Sequence, residues 1–371
     1  MMKRRTFLAS GAATLAAWRA FAQTQSHIVG TLFPMSGSNA EFGTLYTNAV
    51  QLALDHITAD RMLKSPIELR SQDSQATPQG GAVGMTRLAT VDKASYVLLG
   101  FTGVSKAAAP IGGRNKVVMI NGGGVGPDLA TLSPYFVNII PLANKEVTAI
   151  LPWLAKEGLK RVALIYVDDP LGQSINQEFA AGLPKQGGTL VGAFSVPPTQ
   201  QQFGAIAARV RDVKPDAVYF ATPIGTQLSQ MAKQLRDNGI TQQFVTYSVG
   251  NLPSIVAQPE SEGMIFTGQA ADWTSNEPKI KRFVEGWRTK YKAEPVTYAL
   301  NYYNGLMLFA MLAQGLERAG TPVTGETLLA ELMRVRTFQL AGGEVTFDEH
   351  ASASSAIQIS RVHGGRSEKI G

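Results

Sequence analysis

The chain has 371 residues, 34 Lys and Arg against 28 Asp and Glu for a net charge of +6, and no cysteine. That length can bury two packed cores, while the missing thiols exclude disulfides, thiolate metal sites and cysteine nucleophiles. Nucleic acid is not implied by the charge, because no basic run is interleaved with aromatics, and Lys3, Arg4, Arg5 and Arg19 supply four of the positive charges at the amino-terminal end.

Residues 1–22 read as a cleavable export signal: Lys3-Arg4-Arg5, an apolar stretch over 7–18, and the small-residue pattern Ala20-Phe21-Ala22. The apolar stretch is shorter than the roughly 20 residues of a membrane anchor. Arg4-Arg5-Thr6-Phe7-Leu8 resembles a twin-arginine signal, with an ordinary secretory signal as the alternative. From His27 onward short apolar strands alternate with amphipathic helical stretches: strand 28–33, helix 42–59, strand 67–71, helix 78–91, strand 96–99, helix 106–114, strand 117–120 and strand 136–139. A second series runs from a helix over 145–157 through strands at 162–166, 190–196, 217–220, 244–247 and 264–267. This rhythm predicts an α/β fold with two doubly wound parallel-sheet lobes. Helices over 277–291, 298–319 and 325–334 are expected to return to the first sheet, and a tail with 345–347 and 356–362 to the second. The expected division is lobe 1 at 26–143 and 273–337, lobe 2 at 144–272 and 338–371. With no low-complexity linker between the lobes, several crossing segments should form a hinge, and a ligand cleft should lie beside it.

The turn Gly100-Phe101-Thr102-Gly103-Val104-Ser105 joins a buried strand to a helix. A helix start leaves backbone N–H groups without partners and carries partial positive charge, so such a turn can receive an anion. Taken alone, it reads at least as simply as a helix capped by the Thr102 hydroxyl. The four histidines, His27, His56, His350 and His363, are scattered, and each reads as a surface or core residue rather than a ligand. Gly122-Gly123-Gly124-Val125-Gly126 lacks both the dinucleotide spacing and the Lys-Ser or Lys-Thr of a phosphate loop.

In order along the chain, Pro34-Met35-Ser36-Gly37 with Phe42-Gly43, Asp55-His56-Ile57, Gln72-Asp73-Ser74, the stretch from Gly100 to Pro110, Met119-Ile120-Asn121 with Pro127-Asp128-Leu129, Asp168-Asp169 with Leu171-Gly172, and Pro215 to Phe220 resemble the substrate-binding proteins of branched-chain amino-acid ABC transporters. The resemblance covers essentially the whole chain. It implies the type I periplasmic-binding fold, two lobes joined by a multi-strand hinge, and a monomer in the periplasm. Such a protein closes on a small solute and hands it to a membrane permease without chemistry or a cofactor.

By the same resemblance the solute carboxylate is expected at Thr102, Gly103 and Ser105 and on the backbone of Gly124 and Val125. Phe42 and Tyr298 are expected as aromatic walls, and Leu171, Thr222, Pro223 and Ile224 as contacts from the second lobe. Relatives that hold an amino-acid ammonium commonly place a glutamate near the position of Ser248. A neutral residue there departs from that pattern, because a desolvated cation needs a charged partner. Asp168 or Asp169 could substitute, or be solvated loop carboxylates. The expected ligand is therefore a small carboxylate without an essential α-ammonium, with a branched-chain or other amino acid as the alternative. Two further classes have less support: an esterase-like enzyme built on Gly103-Val104-Ser105-Lys106-Ala107, which lacks the final glycine of a nucleophile elbow and an assignable histidine, and a sensor of the same fold that docks to a membrane receptor.

Overall fold

The computed structural model describes residues 26–370, and the expected export signal at 1–22 lies outside them. The first series comprises β1 (His27–Phe33), α1 (Ala40–Ala59), β2 (Ile67–Asp73), α2 (Pro78–Thr90), β3 (Tyr96–Leu99), α3 (Thr102–Arg114), β4 (Val118–Asn121) and β5 (Phe136–Asn138). The second comprises α4 (Ala143–Lys156), β6 (Arg161–Val167), α5 (Pro170–Gly182), β7 (Thr189–Val196), α6 (Gly204–Val213), β8 (Ala217–Ala221), α7 (Gly225–Asp237), β9 (Gln243–Thr246), α8 (Pro253–Val256) and β10 (Ile265–Gln269). Then follow α9 (Pro278–Tyr291), α10 (Thr297–Arg318), α11 (Gly325–Val335), β11 (Thr337–Leu340), β12 (Gly343–Thr346), β13 (Ile357–His363) and β14 (Arg366–Lys369).

Two large sheets and a two-stranded β11–β12 pair result. The first is parallel throughout, in the order β2-β1-β3-β4-β5; the second runs β14-β13-β10-β9-β8-β6-β7, with β13 alone running against its neighbours. Their central strands are continuous apolar runs buried on both faces, as Tyr96-Val97-Leu98-Leu99 and Ala217-Val218-Tyr219-Phe220-Ala221 are, because helices cover both sides of each sheet. Exposed Arg366-Ser367-Glu368-Lys369 forms one edge, where charge opposes pairing with another chain. Of the tail expected on the second sheet, β13 pairs there. Val345 lies instead in the β11–β12 hairpin, which Asn304 of α10 holds through both the N–H and the carbonyl of Ala341.

Register sets the cleft. Leu32 pairs with Leu99, Leu99 with Asn121 and Asn121 with Asn138, so the carboxyl ends of four strands finish along one edge of the first sheet. Ligands bind in doubly wound sheets beyond that edge. The chain crosses between sheets at 139–142, 270–277 and 347–356. Asn138 exchanges backbone hydrogen bonds with Ala351 and Ala353, and the Ala270 N–H donates to the Ala356 carbonyl, so the crossings brace one another.

Candidate functional site

A cavity of about 430 Å³ lies between the two sheets. Its first-sheet wall comes from the start of α1, the loop before α2, the β3–α3 turn and the loop after β4. Its second-sheet wall comes from the loops after β6, β7, β8 and β9.

The β3–α3 turn is a strained part of the wall. Gly100 is required by a close approach, since a Cβ there would lie 2.2 Å from the Tyr302 hydroxyl, which donates to the Leu99 carbonyl. Phe101 then takes φ +66°, a conformation rare for a bulky side chain and one that costs about 1–3 kcal/mol. Phe101 occupies the N-cap of α3 and offers no side-chain acceptor. The Ser105 N–H makes the first intrahelical bond, to the Phe101 carbonyl, which leaves the N–H groups of Thr102, Gly103 and Val104 without intrahelical acceptors. Thr102 therefore does not cap its own helix. Its Oγ1 accepts from the Gly126 N–H at 3.0 Å, which turns the hydroxyl proton to other use.

In the glycine loop the expectation for Gly124 needs correction. The Asn121 side chain accepts from the Gly124 N–H at 2.7 Å and donates to the Gly124 carbonyl at 2.7 Å, so neither group is available to a solute, and Gly124 is absent from the wall. Asn121 also donates to Asn138, which donates to Ser352 in a crossing segment. Val125, whose carbonyl accepts from the Ala143 N–H, is on the wall.

Phe42, Thr102, Gly103, Val125, Leu171, Pro223, Ile224 and Tyr298 all line the cavity. Four other expected residues do not. Ser105 is buried one turn into α3. The Thr222 hydroxyl donates to Gln227 and accepts from the Ile224 N–H, which shapes the loop from behind. Ser248 is turned to a buried carboxylate described below, and Gly124 is clasped by Asn121.

Phe42 stands edge-on to both Phe101 and Tyr298, with ring centroids 5.3 and 5.5 Å apart, which gives that part of the wall an apolar aromatic cluster. Sequence reasoning missed Asn39, Tyr46, the 75–78 loop, Pro198, Thr199 and Tyr247. Tyr46 was within reach of a helical argument, because it lies one turn from Phe42 on the same face of α1.

Among the described residues, no Lys, Arg or His lines the cavity, and the only charged residues on its wall are Asp168 and Asp169. Asp169 caps α5 by accepting from the Gly172 N–H at 2.7 Å, and burial pushes its carboxyl up to about 6 against that hydrogen bond. The nearby Tyr247 hydroxyl has no hydrogen-bond partner among the described residues, and burial raises it well above the ordinary tyrosine range. The two sides of the largely apolar cavity thus differ in polarity, with open N–H groups on the first-sheet side and the carboxyl groups of Asp168 and Asp169 on the second.

Behind Tyr298 lies a residue that sequence reasoning passed over. Glu146 of α4 is fully buried; its Oε1 accepts from Ser248 Oγ at 3.0 Å, and its Oε2 from the Ser248 N–H at 3.0 Å and Thr267 Oγ1 at 2.9 Å. Ser248 Oγ is in turn 2.9 Å from the Tyr298 hydroxyl. Burial pushes Glu146 up to about 7, although all three hydrogen bonds oppose the rise.

The family model described as "Periplasmic binding protein" matches residues 28–366. The chain is 23% identical to Leu/Ile/Val-binding protein homolog 3 of Brucella melitensis over 88% of each chain. A leucine-binding protein of Thermotoga maritima superposes with a TM-score of 0.84 at 22% identity, covering 93% of this chain and 97% of that one. A solute-binding protein of an ABC transporter from R. palustris, solved with benzoate, superposes at 0.83 with 17% identity and covers 94% and 96%.

Proposed function

The chain belongs to the periplasmic binding protein family and has its type I fold, and we propose on that premise that it is the solute-binding component of an ABC importer. It captures a small carboxylate in the cleft between its lobes. The observation that carries this reading is the uncapped start of α3 facing a cavity with aromatic walls and, among the described residues, no cationic side chain. A carboxylate at Thr102 and Gly103 would accept from otherwise unpartnered N–H groups and the Thr102 hydroxyl, assisted by the positive end of the helix. Phe42, Phe101 and Tyr298 would flank the rest of the solute. Binding would draw the lobes together, and the closed rim would then dock on a permease. The chain performs no chemistry on its solute in this reading, and the periplasm is its place of work.

Benzoate and its 4-hydroxy derivative represent one solute class, and leucine and valine the other, in keeping with the benzoate, leucine and valine in the names of the relatives above. We favour the carboxylate without an α-ammonium, because Ser248 is neutral and Glu146 behind it is fully buried and already accepts three hydrogen bonds from Ser248 and Thr267. An amino acid is the second reading, favoured by Asp169 and the unpartnered Tyr247 hydroxyl on the opposite wall. Calorimetry on the protein without residues 1–22 decides between them. Binding of either benzoate supports the first; tight leucine or valine binding with no response to simple organic acids overturns it. Uptake of the solute by vesicles carrying the partner permease, dependent on this protein, separates transport from receptor sensing.

A further inference from the structure

Glu146 is given no contact with the solute in that reading, yet its surroundings connect it to the cavity wall. Its neighbours form a single file of hydroxyls: Glu146 Oε1, Ser248 Oγ, Tyr298 Oη. Each hydroxyl carries one hydrogen, so the direction of the file is set at its end. A carboxylate can only accept. Ser248 must then aim its hydrogen at Glu146, Tyr298 must donate to Ser248, and the Tyr298 oxygen is left with lone pairs alone. A neutral Glu146 has a hydrogen to give to Ser248. The Ser248 hydrogen then turns to Tyr298, and the Tyr298 hydrogen is released.

We propose that Glu146 is a positioning residue for solute polarity: acting through Ser248, it sets whether Tyr298 offers the cavity an acceptor or a donor. This rests on the cavity being the solute site. The ionised form favours a solute with a hydroxyl or ammonium hydrogen at that end, and the neutral form favours a solute with an acceptor there. Tyr298 belongs to α10, which packs on α1, while Ser248 and Glu146 belong to the second sheet's side, so the file also spans the cleft.

The groups around Glu146 leave it free to titrate alone. Tyr298 from α10, Tyr219 from β8 and Tyr247 after β9 feel its charge, and all three hydroxyls are held neutral by burial. From the elements packed on α4, β10 presents Thr267, α5 carries Glu178 and is capped by Asp169, β13 ends in exposed Arg361 and His363, and the turn after α5 carries exposed Lys185. None forms an ion pair with Glu146, and His363 is engaged by Glu262. Because the Glu146 carboxyl is pushed up to about 7, the file reverses across neutral pH, donor-presenting below and acceptor-presenting above.

The test uses the protein with ¹³Cζ-labelled tyrosine, whose resonance reports phenol hydrogen bonding, and assigns Tyr298 through Tyr298→Phe. From about pH 5.5 to about pH 8.5, a window spanning a half-titrated neutral-range acid, the Tyr298 signal of the wild type should move with a midpoint near neutrality. It should be static in Glu146→Gln, whose amide mimics the neutral acid, and should keep only the small movement caused by the field of the Glu146 charge in Ser248→Ala, which keeps Glu146 but cuts the file. A wild-type signal that does not move, or one that moves as far in Ser248→Ala as in the wild type, overturns the proposal. In parallel, calorimetry should show the affinity ratio of 4-hydroxybenzoate to benzoate rising several-fold with pH in the wild type and flat in both variants. A flat wild-type ratio beside a moving Tyr298 signal overturns the part concerning solute preference. Failure of both acids to bind at any pH overturns the proposed carboxylate ligand instead, and leaves the tyrosine measurement to judge the hydroxyl file.

Discussion

Replacing Thr102 by valine removes one hydroxyl at nearly constant volume, and two separable consequences should follow. Thr102 Oγ1 is the acceptor for the buried Gly126 N–H, and an N–H stranded in a buried site costs about 1–3 kcal/mol. The variant should therefore fold but melt several degrees lower. The solute loses a charge-assisted hydrogen bond of about 1.5–3 kcal/mol, roughly a 10- to 100-fold loss of affinity. Thr102→Ser keeps the oxygen and should stay near wild type in both respects. The assay is a thermal melt of each ligand-free variant, followed by calorimetry with whichever of benzoate, 4-hydroxybenzoate or leucine binds the wild type. A valine variant that melts lower but binds unchanged would place the solute anion elsewhere. One that melts unchanged would show that the Gly126 bond contributes nothing, and the account of the turn would fail at its structural step.

Glu146→Gln should stabilise the protein increasingly as pH rises. A buried acid whose folded pKa is about 7 against 4.5 for the ordinary side chain binds its proton more tightly when folded, so wild-type stability falls between those values and levels off above the higher one. The penalty removed by glutamine is then absent below the lower value and on the order of 3 kcal/mol at its full extent; urea unfolding from acid to mildly alkaline pH measures it, and an unchanged difference across that range refutes it. Gly124→Ala places a Cβ 3.0 Å from both Asn121 Oδ1 and the Phe101 carbonyl carbon. It should lower the melting temperature and weaken solute binding together, by disturbing the clasp that seats Val125. Ser254→Ala removes the 2.6 Å hydrogen bond that Ser254 donates to Glu41 across the cleft. The bond is exposed and worth about 1 kcal/mol or less, so affinity should fall only a few-fold, with a faster off-rate in stopped-flow measurements and no change in the ligand-free melt.

The alternation of apolar strands and amphipathic helices carried the two doubly wound sheets, because strands buried on both faces read as unbroken apolar runs and their order then follows from connection rules. The tail was harder to read. Val345 and Phe347 carry the same apolar signal as the sheet strand at 357–363, yet Val345 pairs in a hairpin against α10. Nothing in a short apolar segment says which partner it pairs with, since that is settled by Asn304, far away in sequence. The start of α3 was misjudged by four residues for a related reason. Gly103 is a poor helix former and Phe101 sits at positive φ, so local propensity argued for a longer turn, whereas the packing of Tyr302 against Gly100 set the geometry.

Within the site, reading along the chain found wall positions better than it found what their atoms do. Gly124 and Val125 are adjacent and equally permissive on paper, but Asn121 occupies both backbone groups of Gly124 and leaves Val125 on the wall. In sequence, the neutral Ser248 gives no sign of the carboxyl group behind it. That group belongs to Glu146, more than a hundred residues away in the chain, joined by hydrogen bonds of 3.0 Å. Such a group leaves no local signature: in sequence, Glu146 is the acidic residue of an amphipathic helix's first turn, where negative charge is commonplace. Only its burial against β10 turns it from a helix-end carboxylate into a group that can orient the hydroxyl file leading to Tyr298. The polarity that the cavity presents is thus decided one layer behind its wall, by contacts between the second lobe and the first, which is why solute preference and lobe closure should respond to the same substitutions.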